Sequence, residues 1–134
     1  MEIINRTNYV DVAEEVILGL IRDAEKNKGN QWTYKILSTS QIRKQLSMTA
    51  ELFSQVETDK STVLSEEILD KIQYLRMQFI YQAGRDKEVK AFVQKAKIQD
   101  ILKSINNQKE NFLVFCRYME ALVAFRKYHG NKDD

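Results

Sequence analysis

The sequence predicts an all-α protein, a compact bundle of five to six helices forming a single domain over residues 1–134. Three observations predict it. Apolar residues recur at three- and four-residue spacing over five long stretches, which is the helical period. Proline is absent, so helices must be stopped by glycine, asparagine and capping residues. Alternation of apolar and polar residues is confined to a short run around Trp32 and Tyr34, so little or no strand is expected.

The first helix starts after Thr7 or Asn8 and runs to about Lys26, with Val10, Ala13, Val16, Ile17, Leu20, Ile21 and Ala24 as its stripe. Residues 27–37 form a linker, with Gly29 supplying conformational freedom. The second helix runs from about Thr39 to Val56. Ser38 and Gln41 have capping-box spacing at its start, and Ile42, Leu46, Ala50, Phe53 and Val56, with Thr49 between them, face the core. Ser65 caps the third helix, with Glu66 and Glu67 in the first turn where the helix dipole favours anions. Its buried stripe is Ile68, Leu69, Ile72, Leu75, Phe79, Ile80 and Ala83, and Gly84 suits a left-handed residue just past its end.

Asp86 starts the fourth helix, which carries Val89, Phe92, Val93 and Ala96. Its phase slips between Lys97 and Ile101, predicting a bend or a break before Leu102 and Ile105. The fifth opens at Asn107 and Glu110, again at capping-box spacing, and runs to about Tyr128. Phe112, Phe115, Cys116, Met119, Leu122 and Val123 occupy one face, and Val114, Tyr118, Ala121, Phe125 and Tyr128 a second. A helix apolar on nearly every side lies at the centre of a bundle, or joins its own core on one face and a partner on the other. Residues 130–134 read as a frayed tail.

Composition excludes several functions. The formal net charge is +2, so a basic surface has to come from segregation of charge rather than excess. With Cys116 alone, no intrachain disulfide forms, and a cytoplasmic protein is the expectation. The N-terminus has no basic stretch followed by an apolar run, and no run is long enough to cross a bilayer, so no membrane partner is expected. One histidine and one cysteine do not build a zinc site or a nucleophile–base pair, and the glycines are isolated rather than gathered into a phosphate loop. Glu66, Glu67 and Asp70 read as a helix start and its solvated face. No enzyme, metal or cofactor follows.

Two windows lack carboxylates altogether. From Lys26 to Ala50 there are five cations, Lys26, Lys28, Lys35, Arg43 and Lys44, and no acid. A hydroxyl-rich helix start with free amides, Ser40 among it, followed within a turn by two cations, suits a phosphate. The second window, Lys71 to Arg85, holds Arg76 on the apolar flank of the third helix. Its stem can lie on the core and hold the guanidinium out for phosphate, or it can pair with a carboxylate; both readings stand. Arg85 is either a phosphate donor or a cap on terminal carbonyls. Tyr74, Tyr81, Tyr118, Phe125 and Tyr128 could stack on bases, but their helical spacing favours core or interface; Trp32 and Tyr34, in the basic linker, are the better candidates for base stacking. Arg117 and Arg126 read equally as part of the patch or as ordinary surface charge.

Three stretches, KILSTSQIRKQL (35–46), KIQYLRMQFIYQAGRD (71–86) and FCRYMEALVAFRKYHG (115–130), resemble the small subunit of the type III-A (Csm-type) CRISPR interference complex. The resemblance spans residues 35–130 and implies an all-α, non-catalytic, RNA-binding subunit of an antiviral ribonucleoprotein whose nuclease activities lie in other subunits. Implied partners are the guide RNA–target RNA duplex, the backbone and large subunits of the complex, and other copies of the same chain. The implied RNA contacts are Lys35, Ser40, Arg43, Lys44, Arg76 and Arg85. Since base pairing between guide and target reads sequence, such a subunit needs only backbone contacts. Two alternatives are a helix-turn-helix-like DNA-binding regulator, with STSQIRKQL as recognition helix, and a helical interaction scaffold without nucleic-acid binding. The scaffold predicts that the cations pair with Glu51, Glu66 and Asp70.

Overall fold

The computed structural model describes residues 3–27 and 35–130. Six helices appear in these residues: α1 Tyr9–Asn27, α2 Thr39–Thr58, α3 Glu66–Arg85, α4 Lys87–Lys95, α5 Ile98–Lys103 and α6 Lys109–His129. No strand occurs among the described residues; Val63 and Gln108 form one isolated antiparallel bridge. The all-α expectation and the count of helices hold.

α6 is the central element. α1 and α2 pack on it most extensively, and α3 joins α2, α4 and α5. Phe112, Phe115, Tyr118, Met119 and Leu122 of α6 are fully buried, and the Phe79 ring of α3 meets Phe115 edge to face at 6.3 Å. The second aromatic face of α6 is only partly core. Tyr118 is buried, Phe125 is half-buried, and Tyr128 is 78% exposed. Burial pushes the Cys116 thiol up from its ordinary range, with Glu120 adding to the effect, so the sulfur is an inert core group.

The helix starts show how local sequence fixes the chain. At α2 the capping box is complete: Ser38 Oγ accepts from the Gln41 amide at 3.0 Å, and Gln41 Oε1 accepts from the Ser38 amide at 2.7 Å. Ser65 Oγ accepts from Ile68 N at α3, and Asp86 Oδ1 accepts from Glu88 N and Val89 N at α4. The predicted break after α4 falls at Lys97, which adopts a left-handed φ of 57°. There the buried Tyr118 hydroxyl donates to the Ala96 carbonyl at 2.9 Å, satisfying a carbonyl that the broken helix leaves over.

Four expectations need correction. In α2 the buried positions are Thr39, Ile42, Gln45, Thr49, Leu52 and Val56, while Leu46 and Phe53 are half-buried and Ala50 is exposed. The helix is rotated so that polar side chains enter the core, an arrangement that apolar periodicity cannot show. Ile80 of α3 lies outside the core at 56% exposure. Gly84 is not left-handed: α3 continues through Arg85, and the chain turns at Asp86 with φ −147°. Finally, α6 starts one residue later than the Asn107 spacing suggested, with Gln108 at its cap. The Asn107 carbonyl instead accepts from Leu64 N at 2.7 Å, tying the start of α6 to the segment before α3.

Gly84 thus sits in a helix with open space around it. Gly84→Ala is expected to stabilise the protein by about 0.5–1 kcal/mol, because alanine lowers the entropy of the unfolded chain without strain in the helix. Urea denaturation reads this directly; destabilisation would show that the exposed end of α3 must open.

Arg126 is another departure from the sequence reading, since it is neither surface charge nor part of a patch. It is 2% exposed, and its Nε donates to the Leu37 carbonyl at 2.7 Å. Gly130 closes over it: a Cβ there would come within 1.6 Å of the guanidinium and 2.3 Å of the Arg126 carbonyl. Glycine is needed here because of this close approach.

Candidate nucleic-acid interface

The predicted cations divide into three places. On α2, Ser40, Arg43 and Lys44 are exposed and lie at i, i+3 and i+4, so they form one patch in the first two turns. Lys44 also lines a cleft of about 200 Å³ between α2 and the α3–α4 junction, and Arg85 lines the same cleft from α3. Two cations far apart in sequence are therefore brought together on one side of the bundle.

The junction is held by a small polar clamp. Gln41 Nε2 donates to Asp86 Oδ2 at 2.5 Å, while the other Asp86 oxygen caps α4. Gln41 thereby serves both the α2 cap and the α3–α4 corner, fixing the separation of Lys44 and Arg85. Gln45, 1% exposed, lies beneath the cleft, its Nε2 donating to the Gln41 carbonyl at 3.3 Å. Arg85 extends over the Tyr81 ring, with its guanidinium carbon 5.7 Å from the centroid. It ends α3 rather than following a glycine stop.

Arg76 lies elsewhere. Nine residues separate it from Arg85, about half a helical revolution at 100° per residue, so the two leave α3 on opposite flanks. Arg76 is half-buried; its Nε donates to Gln99 Oε1 at 3.3 Å and its Nη1 to Gln73 Oε1 at 2.9 Å. Gln99 Nε2 returns a bond to the Arg76 carbonyl at 3.1 Å. The guanidinium is held by neutral amides, Gln73 of α3 and Gln99 of α5, not by a carboxylate. Lys35, 79% exposed, pairs with Glu88 at 3.6 Å and lines a second cleft of mixed charge with Asp23, Lys87 and Lys95. Trp32 and Tyr34 lie outside the described residues.

Electrostatically, the α2–α3 cleft is the distinctive place. Among the described residues no ion pair involves Arg43, Lys44, Arg76 or Arg85, and the pairing with Glu51, Glu66 and Asp70 that a scaffold predicts is not seen. Cations outside any ion pair can hold an anion, with Asp86 at the rim of the cleft as the one carboxylate lining it. A helix-turn-helix reading fits poorly, because α1 ends at Asn27 and α2 starts at Thr39, too far apart for a turn of three or four residues. No group of His, Cys, Asp and Glu among the described residues is arranged to hold a metal, and no described helix is long and apolar enough to cross a membrane.

Sequence reasoning missed the clamp and the role of Tyr81. Gln41 was legible as a cap, but its second bond, to Asp86, joins residues 45 apart in sequence. Tyr81 has helical spacing in common with core residues, and only the structure shows that it points outward beside Arg85.

Comparison with known proteins places the chain. The family model for Csm2 of type III-A systems matches residues 14–132. A protein of Streptococcus thermophilus named CRISPR system Cms protein Csm2 is 45% identical over 133 residues, covering 99% of this chain and 100% of that protein. The protein of the same name from Mycobacterium tuberculosis (strain CDC 1551) is 42% identical over 126 residues, 94% of each. That from Enterococcus italicus is 33% identical over 111 residues, 80% of this chain and 79% of the relative. With a six-helix fold, a cationic cleft and matches over nearly the full length, the chain belongs to the Csm2 type III-A family, as its three sequence motifs implied.

Proposed function

We propose that the protein is the non-catalytic small subunit of a type III-A CRISPR–Cas effector complex, present in several stacked copies. Each copy binds target RNA, and the guide–target duplex, through sequence-independent contacts to the sugar-phosphate backbone. The observation that carries this reading is the convergence of Lys44 and Arg85 on one cleft with no carboxylate paired to either among the described residues. Arg43 and Ser40 extend the same surface along α2, whose first-turn amides add partial positive charge. Arg76 and Lys35 sit apart from this cleft and meet other portions of the strand or a neighbouring subunit.

Each copy contributes modestly, and repetition along the strand supplies the rest of the affinity. Guide–target pairing selects the sequence, so the protein surface reads charge and shape alone. The test is co-purification. The chain, tagged and expressed with its native partners, is expected to bring down a particle containing guide RNA and the other subunits of the complex. Recovery of the chain alone, with tight binding to a single duplex DNA site, would defeat the proposal.

A further inference from the structure

The outer face of α3 carries side chains that packing of the bundle does not explain. Tyr74, Met77, Ile80 and Tyr81 are 59%, 54%, 56% and 62% exposed. At about 100° per residue, Tyr74, Tyr81 and Arg85 fall within about 40° of one another and form a stripe along the helix, bordered by Met77, with Ile80 further round. The Arg85 guanidinium lies over the Tyr81 ring within cation–π range, and the same arginine lines the cleft with Lys44. The stripe is therefore continuous with the cationic cleft. It carries no carboxylate between Lys71 and Arg85; Asp70, one turn before Tyr74, marks its far end.

We infer that Tyr81 and Tyr74 are stacking platforms for unpaired bases of the strand whose phosphates the Lys44–Arg85 cleft holds. This rests on the RNA-binding reading above and adds a second kind of contact to it. The two rings are seven residues apart, about 10 Å along the helix axis, so each meets its own base. The planar Arg85 guanidinium extends the Tyr81 surface toward the cleft and joins stacking to phosphate binding at one residue. Stacking is compatible with indifference to sequence, because every base presents a π face. The carboxylate-free stripe and the adjoining cations favour a nucleic acid over a protein as the occupant.

The experiment compares two ligands of equal charge on the full chain: a labelled RNA single strand of about ten nucleotides and an abasic strand of the same length. Wild type is expected to hold the base-bearing strand at least about tenfold more tightly. Tyr81→Ala should lower that ratio about five- to tenfold and leave affinity for the abasic strand unchanged, with a smaller loss for Tyr74→Ala. Tyr81→Phe should retain the ratio, since the ring and not the hydroxyl is used. Equal binding of both strands by wild type overturns stacking and leaves the phosphate contacts standing. No binding of either strand overturns both. If Tyr81→Ala alters the sedimentation of the protein without changing the ratio, the face is a protein contact and the inference falls.

Discussion

Replacement of Arg126 by alanine is expected to lower the stability of the protein by about 3–5 kcal/mol. Two losses combine. The Leu37 carbonyl, on a fully buried residue, loses its donor at 2.7 Å and cannot exchange it for water without opening the structure. An unsatisfied buried acceptor costs about 1–3 kcal/mol. The volume left by a large, fully enclosed side chain adds a cavity term of similar size. Leu37 directly precedes the Ser38 cap, so the start of α2, and with it Ser40, Arg43 and Lys44, should loosen as well. Arg126→Lys should recover only part of the loss, because an ammonium does not reproduce the Nε position. Chemical denaturation with circular dichroism measures both variants; a change below about 1 kcal/mol for the alanine would show that water reaches the Leu37 carbonyl.

Reversal of charge at the cleft, with Lys44→Glu and Arg85→Glu together, is expected to weaken RNA binding about a hundredfold at low salt. Each charge-assisted hydrogen bond to phosphate accounts for about tenfold of that effect. The weakening should be the same for unrelated sequences, because neither residue is placed to read bases through hydrogen bonds. With about four phosphates neutralised, the single-strand relation gives a salt slope near −3 for wild type, and removing two of the four cationic contacts should flatten it by about 1.4. Titrations at several salt concentrations with two or more RNA sequences test this. A weakening confined to one sequence, or an unchanged slope, would count against backbone contacts at this cleft. Both residues are exposed and lack ion-pair partners among the described residues, so the double variant should fold normally.

Much of the fold was legible because it rests on local rules. The Ser38–Gln41 box, the Ser65 and Asp86 caps, and the break near Lys97 follow from spacing alone, and each occurs in the structure. The errors arose where tertiary contacts override local pattern. Gln45 is buried while Leu46 is only half-buried and Ala50 exposed because α2 is rotated on α6, and a buried glutamine sends no signal through hydrophobic periodicity. Arg126 read as part of the patch or as surface charge, since the Leu37 carbonyl to which it donates is 89 residues away in the chain. Ile80 belonged to the helical stripe of α3 yet faces outward, because the neighbouring helices cover only one side of α3.

The candidate site was legible as residue types and only partly as geometry. Absence of acids from two windows singled out Lys44 and Arg85, which the fold unites. It also grouped Arg76 with them, although helical phase turns that residue to the opposite flank. Lys35 entered on charge alone, and its exposed ammonium faces Glu88.

Asp86 has a further meaning. Its carboxylate is pinned at the rim of the cleft by Gln41 and the α4 amides, so it cannot swing away when an anion arrives. A fixed negative charge beside two positive ones weakens the attraction of the pocket for any single phosphate. On the function proposed above, one molecule would hold its strand loosely, and durable capture would fall to neighbouring copies acting together, with quick release once their row is broken.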